Sequence, residues 1–94
     1  MRLNPFQKFF YKENFVKWVL LVAILYPDGS IDKIMNGGQG WEDRNQCRIL
    51  VEQAYKSIAE SVYENFPMPQ GTEILGVGCY QPQTFQEDMV IVFE

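Results

Sequence analysis

Histidine is missing from this chain of 94 residues, and with it the side chain that most often acts as a general base or a zinc ligand. Two cysteines are too few for a disulfide framework or a four-ligand zinc site. The adjacent carboxylates Glu42-Asp43 and Glu87-Asp88 lie at the boundaries of predicted helices and strands, where acidic residues commonly cap a helix or are exposed to solvent. We therefore expect no catalytic residue, no metal site and no cofactor, and a protein that is not an enzyme.

Long apolar runs are missing as well. The longest covers nine residues, 18–26, whereas a membrane-spanning helix needs about 18 or more. The turn sequence Pro27-Asp28-Gly29 follows this run directly, so we expect neither a transmembrane helix nor a secretory signal. Cys47 and Cys79 both occur in apolar patterns, which predicts two buried, reduced thiols. These features together predict a cytoplasmic protein.

The composition indicates one globular domain over residues 1–94. Hydrophobic residues make up 47% of the chain and charged residues 21%, far from the composition of disordered segments. A chain of this length has room for one hydrophobic core, because single cores typically serve about 50 to 200 residues. We expect the chain to fold alone.

The spacing of apolar and turn residues predicts an α+β fold in the order α-β-β-α-β-β. Apolar residues at intervals of three and four indicate helices, and β-branched or aromatic runs between turn residues indicate strands. The predicted elements are an N-terminal helix over about 5–13, a hairpin over about 16–35, a long helix over about 43–66, and strands over about 73–80 and 88–93. We expect an antiparallel sheet that carries the long helix on one face.

The opposite face of the sheet needs a cover too, because the first strand is apolar on both sides. We expect either the N-terminal helix, with Phe6, Phe9 and Phe10, or a second copy of the chain to lie there.

The third strand alternates between two kinds of side chain. Leu75, Val77 and Cys79 are predicted to face the long helix. The other face then has a notch at the glycines, which could seat a partner. That face consists of Ile74, Gly76, Gly78 and Tyr80.

Positive charge is missing from the last 38 residues, which contain six acidic residues and no Lys or Arg. Residues 1–17 carry a net charge of +3, and residues 18–56 carry −1. An acidic surface repels nucleic acid and attracts basic proteins, and aromatic residues near loops can anchor such contacts. The candidate partner-binding residues are Trp41, Glu60, Tyr63, Glu64, Glu73, Tyr80, Phe85, Glu87 and Asp88.

These observations predict a non-enzymatic protein-binding module or inhibitor. Its acidic and aromatic surface would block a basic partner, such as a nuclease or an effector complex that handles nucleic acid. Phage anti-defence proteins such as anti-CRISPRs, and toxin-immunity proteins, share this size and charge. We expect no direct binding to nucleic acid or to a membrane.

An alternative comes from the order of landmarks over residues 16–94. The turn Pro27-Asp28-Gly29 is followed by a Gly-containing loop, a helix, the segment Phe66-Pro67-Met68-Pro69 and the strand Val90-Ile91-Val92-Phe93. This order resembles the C-terminal domain of the TonB/TolA periplasmic proteins. The resemblance implies a periplasmic coupling domain. The predicted helix is about twice as long as that family's pattern suggests, so no functional residue is carried over.

Overall fold

The computed structural model describes residues 17–35 and 40–93 and has an α+β fold. Within these residues, four strands form one antiparallel sheet in the order β2-β1-β3-β4, and one long helix packs on it. The elements are β1 (Val19–Leu25), β2 (Ile31–Met35), α1 (Arg44–Asn65), β3 (Glu73–Gln81) and β4 (Gln86–Val92). The helix predicted over 5–13 lies outside the described residues.

The predicted hairpin is confirmed, with its turn at Pro27-Asp28-Gly29. The backbone N–H of Gly29 donates to the Tyr26 carbonyl at 2.9 Å, and Gly29 has a φ of 92°, which glycine adopts without strain. The Asp28 carboxylate accepts hydrogen bonds from both the N–H and the hydroxyl of Ser30, at 2.9 and 2.7 Å. This turn directs β2 back along β1.

The long helix agrees with its predicted bounds to within one residue at each end. Asp43 is the N-cap, and its carboxylate accepts from the Asn45 N–H at 3.0 Å. The helix ends at Asn65, two residues before Pro67, which cannot continue it. Ala54 has non-helical angles (φ −127°, ψ 15°), so a kink divides α1 into two halves.

The core lies between α1 and the sheet, and a disulfide between Cys47 and Cys79 crosses it. Their Cα atoms are 6.2 Å apart, and neither residue is accessible to solvent. The prediction of reduced thiols is therefore wrong, because α1 packs along β3 and brings together residues that are 32 positions apart. The buried core residues are Val22, Ile24, Cys47, Val51, Val62, Ile74, Val77 and Cys79.

This bond bears on the predicted localisation. Disulfides persist mainly in oxidising compartments, so the bond does not favour the cytoplasm. Within residues 17–35 and 40–93, no helix has the length and hydropathy needed to cross a membrane.

A β-bulge in β3 changes which side chains face the helix. Ala23 pairs with Gly76 and Ile24 pairs with Ile74, which leaves Leu75 as an extra residue in β3. Ile74 therefore joins the core with α1, whereas the alternation in the sequence predicted Leu75 there. Before Gly76, the bulge exchanges the faces on which the β3 side chains lie. After Gly76, Val77 and Cys79 lie in the core with the helix, as predicted.

The predicted glycine notch is filled by β4. A β-carbon on Gly76 would lie 2.5 Å from the Ile91 carbonyl oxygen, and one on Gly78 would lie 2.7 Å from the Cα of Met89. The Met89 sulfur would be 2.9 Å from that same Gly78 β-carbon. The glycines therefore allow the close approach of a neighbouring strand rather than of a partner.

Candidate partner-binding surface

The nine candidate residues do not form one surface, because they lie at opposite ends of the sheet. Between Glu73 and Gln81, β3 makes eight steps of about 3.3 Å, which separates its two ends by about 26 Å. Glu60, Tyr63, Glu64 and Glu73 lie where α1 ends and β3 begins. Trp41, Tyr80, Phe85, Glu87 and Asp88 lie near the other end of β3, by the disulfide, and we call this region the disulfide end.

The β1–β2 hairpin adds two carboxylates to the first group. Leu25 pairs with Glu73, so the turn after β1 lies beside the start of β3. Pro27 confirms this proximity, because its Cγ would lie 3.5 Å from a β-carbon placed on Gly71. We define the acidic end as the exposed residues Asp28, Asp32, Glu60, Glu64 and Glu73.

No described Lys or Arg forms an ion pair with these five carboxylates; the ion pairs among residues 17–35 and 40–93 involve only Glu87 and Asp88. Two hydrogen bonds from Ser30 hold the pKa of Asp28 below its ordinary value, so this carboxylate is charged at neutral pH. The Tyr26 hydroxyl donates to Asp32 at 3.4 Å. Burial, followed by the charge of Asp32, raises the pKa of Tyr26.

Sequence reasoning missed Asp28 and Asp32, because they lie about 40 residues before Glu73 along the chain. A signal was present in the hairpin turn, which predicts that these acids lie at a sheet end, but the pairing of β1 with β3 was needed to choose that end.

Aromatic side chains accompany the acidic end. The Tyr63 hydroxyl accepts a hydrogen bond from the Ile74 N–H at 3.3 Å, and the Tyr63 side chain is still exposed. Phe66 follows the last residue of α1 and is exposed too. This end therefore presents aromatic rings next to unpaired carboxylates.

Two candidate carboxylates of the disulfide end, those of Glu87 and Asp88, are already paired. Arg48 donates from Nη1 to both oxygens of Asp88, at 2.8 and 2.7 Å, and Nε of Arg44 lies 3.8 Å from Asp88. The Asp88 side chain is only 19% exposed, and its hydrogen bond with Arg48, followed by its charge, raises the pKa of Arg48. Glu87 pairs with Lys33 from the opposite edge strand. Neither residue contributes a free negative charge, contrary to the prediction.

The remaining candidates are aromatic residues at the disulfide end. Trp41 is half-buried and exchanges two backbone hydrogen bonds with Trp18, at 2.6 and 2.8 Å. Tyr80 is half-buried in β3. Phe85 is 79% exposed in the β3–β4 turn, with a φ of 57°. Only Phe85 among these three is freely available for a contact.

The described residues contain no cluster of three or more His, Cys, Asp or Glu side chains that could hold a metal ion. Comparisons with protein-family models, with curated proteins and with solved structures found no match for this chain. The charge and exposure of the two ends are therefore the features of the molecule that bear on its function.

Proposed function

We propose that the protein is a non-enzymatic binding module, and that its acidic end occupies a basic surface of another protein. The observation that carries this proposal is the group of five exposed carboxylates that have no partner among the described cations. Unpaired exposed charges of one sign produce a field that steers an oppositely charged partner into contact.

The basic surface that best complements this end is one built for nucleic acid. Such surfaces cluster Lys and Arg to neutralise phosphates, and a group of carboxylates at one end can compete for the same cations. The protein would then act as an inhibitor of a nucleic-acid-handling protein, as anti-defence or toxin-immunity proteins do. Tyr63 and Phe66 supply the aromatic contacts that commonly anchor protein interfaces.

The test compares charge reversal at the acidic end with charge reversal elsewhere in the molecule. Partners are captured from the native host, and association rates are measured for the wild type, for a Glu60→Lys/Glu64→Lys/Glu73→Lys variant and for a Glu42→Lys/Glu52→Lys control. We expect the triple variant to associate about tenfold or more slowly at low salt, since steering dominates there, and the control to change far less.

Two results would contradict this function. One is an association rate that is unchanged in the triple variant at low salt. The other is a captured partner whose binding is not reduced by added DNA or RNA, because competition with nucleic acid is the proposed mode of inhibition.

A second candidate function is a periplasmic coupling domain of the TonB/TolA type. The observation that favours it is the Cys47–Cys79 disulfide, a bond suited to an oxidising compartment such as the periplasm. Fractionation of the native host with thiol labelling separates the two candidates. A periplasmic, fully oxidised protein supports coupling, and a cytoplasmic one supports the inhibitor.

A further inference from the structure

An apolar groove of about 340 Å³ lies between the second half of α1 and the β1–β2 side of the sheet. It exists because α1 packs mainly over β3 and β4 and leaves Leu20 of β1 and Ile34 of β2 partly uncovered, while Val22 is buried at its floor. The groove is lined chiefly by Leu20, Val22, Ile34, Ile58, Val62 and Phe66.

The sheet is wider than the single described helix that packs on it. Four strands spaced by about 4.8 Å make a sheet about 19 Å wide, and a helix with its side chains is about 10 Å across. One helix centred on β3 and β4 therefore leaves the β2 edge of the sheet beside the groove, where the side chains of a second helix could contact Leu20 and Ile34.

The rim of the groove is acidic. Asp32 lies on the same face of β2 as Ile34, two residues along the strand, and Glu64 is three positions from the groove residue Ser61 on α1. Lys33 faces the opposite side of the sheet and pairs with Glu87. No described cation forms an ion pair with the rim carboxylates.

We propose that this groove binds an amphipathic helix of the partner, with apolar side chains against the groove and Lys or Arg beside Asp32 and Glu64. The inference rests on the proposed function and names the part of the basic partner that the acidic end contacts. A helix fits better than an isolated basic patch, because the apolar groove and the acidic rim lie side by side.

The test uses the full chain and a synthetic 18-residue peptide of Leu and Lys in an amphipathic helical order. One control peptide has the same composition in a non-amphipathic order, and another has Glu in place of Lys. Amide chemical shifts of the labelled protein report the site of binding. With the amphipathic Leu/Lys peptide, we expect saturable changes in amide chemical shift that are confined to the groove residues. Neither control peptide should produce them.

Two helix variants check the location. Ile58→Lys puts a charge into the groove and should weaken binding of the peptide about tenfold or more. Ile49→Lys makes the same change on α1 at an exposed position, 52% accessible, and should alter affinity less than about twofold. Circular dichroism confirms that both variants fold. If Ile58→Lys unfolds, Glu64→Lys takes its place and should weaken binding about threefold.

The remaining outcomes distinguish the failure of the groove from that of the function. Equal binding of both Leu/Lys peptides without groove shifts would overturn the helix site and leave the basic-partner function standing. Equal groove binding of the Leu/Glu peptide would overturn both the proposed function and the basic character of the helix. Groove contacts from Phe6, Phe9 or Phe10 of the same chain, or concentration-dependent groove shifts without peptide, would assign a different occupant and overturn the proposal.

Discussion

The two ends of the molecule are held in different ways. At the disulfide end, the Cys47–Cys79 bond, the Asp88 ion pairs and the backbone bridge of Trp41 fix the first half of α1 and its approach to the sheet. At the acidic end, beyond the kink at Ala54, α1 meets the sheet through apolar contacts beside an open groove. Stability is commonly uneven within a fold, and here the less constrained end is the acidic end, whose five carboxylates form no ion pair with a described Lys or Arg.

The largest effect should come from removing the disulfide. A bond across 32 residues restricts the unfolded chain enough to contribute about 3 to 4 kcal/mol to the free energy of unfolding. We expect Cys47→Ala/Cys79→Ala to lose about that much in urea unfolding. The wild type under reducing conditions should unfold at a similar urea concentration. An unchanged midpoint in both samples would show that the disulfide end does not depend on its covalent link.

A smaller loss should follow from removing the Asp88 charge. Asp88→Asn leaves Arg44 and Arg48 without their carboxylate, and we expect the free energy of unfolding to fall by about 1 kcal/mol, with a discount for the partial exposure of Arg48. Glu87→Gln is the matched control, because its pair with Lys33 is exposed and should contribute less than about 0.5 kcal/mol. Equal losses of unfolding free energy in the two variants would contradict the expectation that the Asp88 ion pairs contribute more than the Glu87–Lys33 pair.

The sequence was sufficient for the elements that local chemistry determines. Pro27-Asp28-Gly29 predicts its hairpin, and the bounds of α1 follow from the residues around it, with Asp43 as the cap and Pro67 after the end. These signals act over a few residues, so no tertiary information was needed to interpret them.

Features that depend on strand pairing could not be predicted from these local signals. The bond of Cys47 to Cys79 requires α1 to lie along β3, and the exchange of Leu75 for Ile74 in the core requires the bulge opposite β1. The distribution of the candidate residues over two ends of the sheet depends on strand pairing as well. Charge was counted along the chain, whereas the sheet places Asp28 beside Glu73 and pairs Asp88 with Arg48.

Removing charge from the acidic end should slightly raise the stability of the fold, whereas removing the charge of Asp88 should lower it. Glu60 and Glu64 are one helical turn apart, and like charges at this spacing destabilise a helix by a few tenths of a kcal/mol. We expect Glu60→Gln/Glu64→Gln to keep or slightly raise the urea midpoint, and the gain to shrink at high salt. A loss comparable to that of Asp88→Asn would mean that these carboxylates support the fold.

The smallest effect should be the pH response of the β1–β2 turn. Hydrogen bonds from the Ser30 hydroxyl and N–H lower the pKa of Asp28, so the ionised carboxylate stabilises the folded turn at pH values above the unfolded pKa. That contribution is lost as the pH falls through the lowered, folded pKa. In an NMR titration, Ser30→Ala should move the pKa of Asp28 back toward its ordinary value, but only in part, because the N–H of residue 30 still donates. An Asp28 that titrates identically in both proteins would place the cause of the lowered pKa outside this hydrogen bond.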